Sequence, residues 1–542
     1  MKTFPCGCTF ETNDQDKIIF DPDINHLPKD CSATWDLICD GNVKGVFQLE
    51  KQKDNAIKVQ PRNIEELSDL IAIIRPGCTE AMVKGKSLTN HYIDRKHRRD
   101  PVEYLHPALE PILASTQGIL VYQEQAMQIA KDLAGFSLQE ADILRKAIGK
   151  KNVSLMAKIK EEFIKKAEEY GFLNKEEAVE IFSWIEKSQR YSFNKSHSVS
   201  YAYNGYLTAY AKAHFPHEFI TAYLKNAIGK PDMYYEISQL VNNARIMDIE
   251  VMPPTVRHMN KNFELIGERP TFGLTDIKKV GGSVFDKMIA CMNDAKLDIE
   301  NCNWYDFLIV FGDCIKKDSF LALILAGALD IFRVHRSVMQ HEFNMFKELK
   351  KREIPWIQKY KAENPMVTLV DCLNAMMLEN DWSDKKRPIF REARCEDIQS
   401  IIDTLENPPY NLIDNPEWIA KNEQEYLGIS LTCSKVDEYD TSPANCTCKE
   451  FHNGFQSTNG ISIAAELISL REYTIKRGNS KGKKMAFMAI NDGTYCLDNT
   501  VLFSDEYDKH RPILNPKCVY LFRGIKDKKN GSLVIKNIKQ LQ

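Results

Sequence analysis

The chain has 542 residues, a hydrophobic fraction of 43% and a formal net charge of −3. That length exceeds a single core and predicts three or four domains. The charge excludes a global basic field, so any nucleic-acid binding must come from local patches. No stretch approaches the ~18 uncharged apolar residues of a membrane span, so no membrane partner is expected. Phe4-Pro5-Cys6-Gly7-Cys8 is too short for a signal-peptide core. Fifteen cysteines without a compact framework fit mostly free thiols in a reducing, cytoplasmic compartment.

Residues 1–40 read as irregular. Asp21-Pro22-Asp23 reads as a turn. The Cys6/Cys8 and Cys446/Cys448 pairs have Cys-x-Cys spacing, whereas zinc sites favour Cys-x-x-Cys. His452 lies near the second pair without a second ligand pair, so no metal ligand is assigned. Gly45-Val46-Phe47-Gln48-Leu49-Glu50 predicts a short buried strand or turn. Ile64, Leu67, Leu70, Ile71 and Ile74 share one helical face, and Arg75-Pro76-Gly77 stops that helix. Arg75 is either a cation complementing the helix dipole or a phosphate contact.

Residues 118–122 predict a strand and 123–134 a helix, with Met127, Ala130 and Leu133 inward and Gly135 closing it. Ser137-Leu138-Gln139-Glu140 is a capping box for the next helix. Leu138, Ala141, Leu144 and Ile148 form its apolar stripe. Arg145, Lys146, Lys150 and Lys151 then crowd four cations together, which repel unless an anion is close. By position alone, an exposed helix end accounts for them slightly better than a binding role. A helix over 178–187 precedes the polar segment 191–198, read as a loop carrying Lys195 and His197. An aromatic-rich helix with Tyr201, Tyr203, Tyr206 and Tyr210 follows. Cations beside flat rings suit a nucleotide or a stacked base.

Ile277-Lys278-Lys279-Val280-Gly281-Gly282, followed by Phe285 and Ile289, is a helix–hairpin–helix pattern. Its glycines let phosphate approach backbone N–H groups. Leu325-Ala326-Gly327-Ala328-Leu329 resembles a second, degenerate hairpin. Residues 336–455 are charged and weakly patterned. Beyond 459, five short strands (461–470, 485–491, 496–503, 519–524 and 532–538) with turn signals between them form an OB-fold pattern. Lys476, Arg477, Lys481, Lys483 and Lys484 in the first hairpin loop suit single-stranded nucleic acid.

The strings GVFQLE, RPG, YQEQAMQIAKDLAGF, ADILRKAIGKK and FNKSHSVSYAYNGYLTAYAKAHFPHEF occur in this order at 45–50, 75–77, 122–136, 141–151 and 193–219. They strongly resemble the fingers of the bacterial C-family DNA polymerase III alpha subunit. The resemblance implies mainly helical fingers and helix–hairpin–helix domains followed by a β OB-fold. The implied divisions are 1–50 leading from palm to fingers, 51–235 fingers, 236–335 tandem hairpins, 336–455 a charged connecting region and 456–542 the OB-fold. It implies that Arg75, Arg145, Lys146, Lys150, Lys195 and His197 contact the phosphates of a dNTP. Lys146 stands where the family has arginine, which puts bidentate phosphate binding there in doubt. Lys279, Gly281 and Gly282 would grip duplex DNA without reading its sequence. Phe343, Met345 and Phe346 fall near the family's clamp-binding pentapeptide, with Glu342 in place of its glutamine, so a sliding clamp is a further candidate partner. An ordinary amphipathic helix explains these three residues better.

The family's catalytic aspartates, which hold two Mg2+ ions, lie on a palm domain whose motif is absent here. The expectation is therefore a C-terminal half of a split polymerase, or an excerpt from one. Met1 and the unfamiliar first twenty residues favour a separately encoded chain, plausibly from a bacteriophage. It would work with a palm-bearing chain that holds Mg2+, with primer–template DNA and with dNTP. The alternative is a non-catalytic DNA-binding or regulatory paralogue.

Overall fold

The computed structural model describes residues 1–150, 153–188, 192–379, 390–476, 480–527 and 531–541. Two compact units emerge, Met1–Pro216 and His217–Gln542. Among the described residues no helix is long and apolar enough to cross a membrane.

The first unit opens with a small hairpin, β1 (Lys2–Thr3) and β2 (Thr9–Phe10). Eleven helices follow: α1 (Ser32–Cys39), α2 (Lys53–Val59), α3 (Ile64–Ile73), α4 (Pro76–Glu80), α5 (Leu88–Lys96), α6 (Glu110–Leu113), α7 (Gln123–Ala134), α8 (Leu138–Lys150), α9 (Val153–Tyr170), α10 (Lys175–Ser188) and α11 (Lys195–His214). A second small hairpin, β3 (Met82–Val83) and β4 (Lys86–Ser87), precedes α5. The Asn63 side chain caps α3 by accepting from the Glu66 N–H at 2.9 Å. Ile64, Leu67, Leu70 and Ile71 of α3 are buried, each contributing about 1.5–3 kcal/mol of transfer free energy. They pack with Trp35, Val121, Tyr122, Tyr206 and Tyr210 in one core. A second core joins α6 to α10 through Leu113, Ile129, Leu144, Phe163 and Phe182. Residues 1–50 contribute Phe10, Trp35, Val46 and Leu49 to the first core, so no packing boundary falls at residue 50.

Local expectations shift in instructive ways. Leu138 is 70% exposed rather than part of the α8 stripe, because it occupies the first helical position, before the inward face begins. Segment 45–50 is a turn. Val46 and Leu49 go inward, while Phe47 stays exposed against Tyr201 at 5.2 Å between ring centroids. Residues 118–122 do not form the expected strand: Gly118 turns at φ 72°, and among the described residues the pairing of the segment is a single parallel bridge between Tyr122 and Phe193.

In the second unit one core runs from Ile220 to Ile429. It includes α12 (Pro216–Asn226), α13 (Met233–Ile246), α14 (Gly282–Ala295), α15 (Trp304–Phe311), α16 (Lys317–Leu325) and α17 (Arg336–Lys347). A short hairpin, β5 (Glu264–Ile266) and β6 (Arg269–Thr271), lies between α13 and α14. The expected division at 335 therefore falls inside continuous packing. Phe343 is fully buried and stacks on Phe320 at 4.1 Å, and Phe346 is 1% exposed. Met345 packs against the same core. Glu342 accepts from the indole N–H of Trp304 and, at 2.9 Å, from the hydroxyl of Tyr305. A clamp would need side chains that this core already uses, which favours the amphipathic-helix reading of Phe343, Met345 and Phe346 over the clamp-binding one.

The last domain is a closed five-stranded barrel of β7 (Ile461–Thr474), β8 (Lys484–Asn491), β9 (Cys496–Leu502), β10 (Val519–Lys526) and β11 (Leu533–Gln540), in the order β10-β11-β9-β8-β7. A parallel contact between β9 and β11 and an antiparallel one between β10 and β7 close it. A short helix, Ser504–His510, joins β9 to β10. This is the OB-fold topology that the turn pattern predicted.

Candidate functional site

The segment expected to be a loop around Lys195 is the start of α11. Asn194 is its N-cap and accepts from the His197 N–H at 2.9 Å, which converts a polar run into a helix terminus. Tyr191 lies outside the described residues. Lys195, Ser196 and His197 therefore occupy the first turn, where the helix dipole favours an anion.

This terminus is held from below and from the side. Glu124 on α7 accepts from the Asn194 side-chain amide and from the Lys195 backbone N–H, both at 2.9 Å. Phe193 pairs with the 121–123 backbone through two 2.9 Å hydrogen bonds. The Arg75 guanidinium lies 4.2 Å over the Phe193 ring, and the Lys195 ammonium 5.7 Å over Tyr122. His197 packs edge-on to Phe193 at 5.4 Å and tilted against Tyr201 at 4.2 Å. Of the six phosphate-contact candidates, Arg75 and His197 thus meet at Phe193, and Lys195 lies over Tyr122, whose backbone bridges to Phe193. Tyr206 and Tyr210 are core residues instead of stacking surfaces.

Beneath Lys195 lies a buried carboxylate that sequence reading missed. Asp69 accepts from the Tyr122 hydroxyl at 2.7 Å and from the Tyr92 hydroxyl at 3.1 Å. Burial pushes its carboxyl up to about 6, against the opposing pull of both hydroxyls and of the Lys195 charge. Ser198 ties α11 to α3 by donating to the Ser68 carbonyl at 2.6 Å. Buried Lys212 donates to the Asn42 carbonyl at 2.9 Å and the Lys44 carbonyl at 2.8 Å, fixing the turn before Val46.

Arg145 and Lys146 on α8 both pair with Asp142 at 2.8 Å. Asp142 is the nearby anion that relieves their crowding, and their hydrogen bonds hold its carboxyl below the usual range. Three residues join α7 to α8, and the two helices share one core. Lys150 belongs to α8 by its backbone, and Lys151 lies outside the described residues.

The first hairpin is open at its tip. A Cβ on Gly281 would meet nothing, and one on Gly282 only the Lys261 side chain. Lys278 and Lys279 are exposed beside it, with Lys279 in the left-handed region at φ 71°. The second hairpin differs. A Cβ on Gly327, at φ +81°, would lie 2.3 Å from the Arg336 guanidinium. Arg336 is buried and pairs with Asp330 at 2.6 Å and Glu423 at 2.8 Å. An internal cation thus fills this second turn, leaving the first as the hairpin open to a phosphate.

On the barrel, Lys476 and Lys481 are exposed. Lys483 pairs with Asp505 at 3.2 Å and Lys484 with Glu472 at 2.9 Å. Arg477 lies outside the described residues. A surface cluster that sequence reading missed adjoins this loop. Arg471 lies 5.5 Å over Phe487, and Tyr473 meets Phe487 edge-on at 6.3 Å. Strand alternation carries this signal, because Arg471 and Tyr473 are two residues apart on β7 and so share a face.

No three carboxylates converge among the described residues. Asp21 accepts from the Asp23 N–H at 2.8 Å and pairs with His26, as a turn does. These residues do not fit a magnesium pair. Cys6, Cys8, Cys31 and His214 do converge, a grouping that their separation in sequence concealed.

The sequence is similar to known proteins over most of its length. Residues 9–171 match the model of the bacterial DNA polymerase III alpha subunit finger domain, and residues 248–339 match that of a helix-hairpin-helix motif. The chain is 38% identical over 504 residues to the DNA polymerase III subunit alpha of Thermus aquaticus, covering 91% of this chain and 37% of that protein. It is 38% identical over 327 residues to the Aquifex aeolicus subunit alpha, covering 58% and 26% respectively. It is 28% identical over 515 residues to the Staphylococcus epidermidis subunit alpha, covering 94% and 42%. The chain thus spans about two fifths of the length of most of these relatives.

Proposed function

The chain corresponds to a C-terminal portion of a bacterial DNA polymerase III alpha subunit, with its finger and helix-hairpin-helix domains, and we propose that it supplies the nucleotide and DNA contacts of template-directed DNA synthesis. The observation that carries this reading is the placing of Arg75 and His197 against Phe193, with Lys195 over the adjoining Tyr122, at the start of α11.

The chemistry follows from charge placement. A triphosphate brings several negative charges to one spot. In the first turn of α11, Glu124 and Asn194 take the Lys195 and His197 N–H groups and leave that of Ser196, while Lys195 and Arg75 add full positive charges. Because these groups are fixed before binding, they stabilise charge developing on the transferring phosphoryl group without reorganising. His197 is placed to donate a further hydrogen bond from its exposed ring. Arg145 and Lys146, already paired to Asp142, serve as a secondary field at the end of α8.

The open first hairpin, with Lys279 and the Gly281 and Gly282 backbone, fits a duplex phosphate. The barrel face of Arg471, Tyr473 and Phe487, with Lys476 and Lys481, fits an unpaired template strand by stacking and charge. The carboxylates for magnesium would come from a palm domain, and with that domain present Mg2+ would supply Lewis-acid activation.

The test is primer extension by this chain combined with a palm-bearing alpha-subunit chain. Lys195→Ala should raise the KM for dNTP while leaving affinity for primer–template unchanged. No extension from a stable assembly of the two chains would refute the reading.

A further inference from the structure

The N-terminal segment has little packing of its own. Of residues 1–30, only Cys8, Phe10 and Leu27 are buried. Its hairpin has strands of two residues each, too short to persist unaided in water. Yet the segment is seated against the far end of α11, and the groups that meet there are chemically distinctive.

From these contacts we infer that Cys6, Cys8, Cys31 and His214 form a structural zinc site. The ligand atoms of all four residues lie within 4.8 Å of one another. The Cys31 sulfur is 3.3 Å and the Cys6 sulfur 3.9 Å from His214 Nε2. A tetrahedral ion with Zn–S of about 2.3 Å and Zn–N of about 2.0 Å needs neighbouring ligand atoms roughly 3.5–3.8 Å apart. The observed spacings bracket that edge length. None of the three cysteines is in a disulfide, whereas Cys291 and Cys314 elsewhere are bonded.

The backbone explains how a Cys-x-Cys pair serves where two intervening residues are usual. Phe4 N–H donates to the Cys8 carbonyl and Gly7 N–H to the Phe4 carbonyl, both at 2.9 Å. Gly7 sits at φ +88°, a left-handed turn that a side chain would strain. The turn carries both sulfurs to one side of the hairpin. Cys31 comes from the residue that precedes α1, and His214 from the last position of α11.

The surroundings suit a closed site. Phe4 and Phe10 pack edge-on to the His214 ring at 5.0 and 5.3 Å, and Tyr210 lies 4.3 Å from it. Three of the four ligands are buried. Four protein ligands leave no open position for water, so the ion is structural rather than catalytic. It would link residues 208 positions apart and pin the far end of α11, whose first turn carries Lys195 and His197. This assignment does not depend on the nucleotide reading.

The test uses the whole chain, purified under reducing conditions without chelator. Elemental analysis should find about one zinc per folded chain. Cobalt exchanged into the wild-type protein should give intense visible bands of a tetrahedral ion and thiolate-to-cobalt charge transfer in the near ultraviolet. Cys31→Ser should abolish both, and Cys302→Ser, at a buried cysteine away from the cluster, should leave both intact. Chelation should lower the melting temperature of wild type by several degrees. Folded wild-type protein that holds no zinc and gives no cobalt spectrum would overturn the site. So would a disulfide among Cys6, Cys8 and Cys31, or equal metal loss in Cys302→Ser. The wild-type cobalt spectrum decides the question even if Cys31→Ser fails to fold.

Discussion

Glu124 holds Lys195 by its backbone, not by its charge. The carboxylate accepts the Lys195 N–H at 2.9 Å and leaves the ammonium over Tyr122. An acidic residue thus orients a cation without neutralising it. Glu124→Ala should cost about 2 kcal/mol of stability, since a charged acceptor of two N–H donors is lost. It should also raise the KM for dNTP in reconstituted extension, because the α11 terminus loses its anchor. Denaturant melts and steady-state kinetics check the two effects. Normal stability with normal KM would show the anchor to be idle.

The buried Asp69 makes stability depend on pH. Its folded-state pKa of about 6 exceeds the ordinary ~3.9, so the folded state binds the extra proton between these values. Stability should therefore be greatest below the lower value and fall as pH rises through roughly 4 to 6. The contribution is about 3 kcal/mol. Asp69→Asn should flatten that segment of the pH–stability curve. A wild-type curve rising through the same window would contradict the assignment.

The two hairpin glycines should separate stability from binding. Gly327→Ala forces a Cβ into Arg336 at a positive φ and should destabilise the second unit by more than about 1 kcal/mol. Gly281→Ala meets open space and should leave the melting temperature unchanged while weakening duplex binding. Lys279→Ala should reduce the slope of log affinity against log salt by about one. Thermal melts and salt-titrated binding of a short duplex measure these outcomes.

Phe343 offers a direct check between the core and clamp-binding readings of its helix. Stacked on Phe320 and fully buried, it should cost about 3–5 kcal/mol when truncated to alanine. A stable Phe343→Ala protein that has lost only clamp binding would favour the pentapeptide reading. On the barrel, Phe487→Ala should weaken single-strand binding by about 1–3 kcal/mol, with duplex binding unchanged.

Much of this was legible in the sequence because periodicity reports local structure. The α3 face, the five barrel strands and the first hairpin all follow from spacing and turn residues. Several features were hidden for identifiable reasons. Asn194 looked like one polar residue among many, and only its bond to the His197 N–H turns the segment into a helix start. Phe343 and Phe346 could belong to a binding motif or to a core, and only the packing of the folded chain shows that the core holds them. Asp69 and the Cys31–His214 pair depend on contacts across long separations, which no local pattern encodes. The basic end of α8 was readable as a cluster, but not its pairing with Asp142.

The central claim is that the start of α11 faces a nucleotide. The most direct measurement compares wild type with Lys195→Ala and His197→Ala in extension with a palm-bearing chain, together with primer–template affinity across a salt series. The account predicts a KM for dNTP raised about tenfold or more per variant, equivalent to about 1.4 kcal/mol, with primer–template affinity and its salt slope unchanged. A normal KM with weakened primer–template binding would contradict it, and would make this terminus a DNA contact instead.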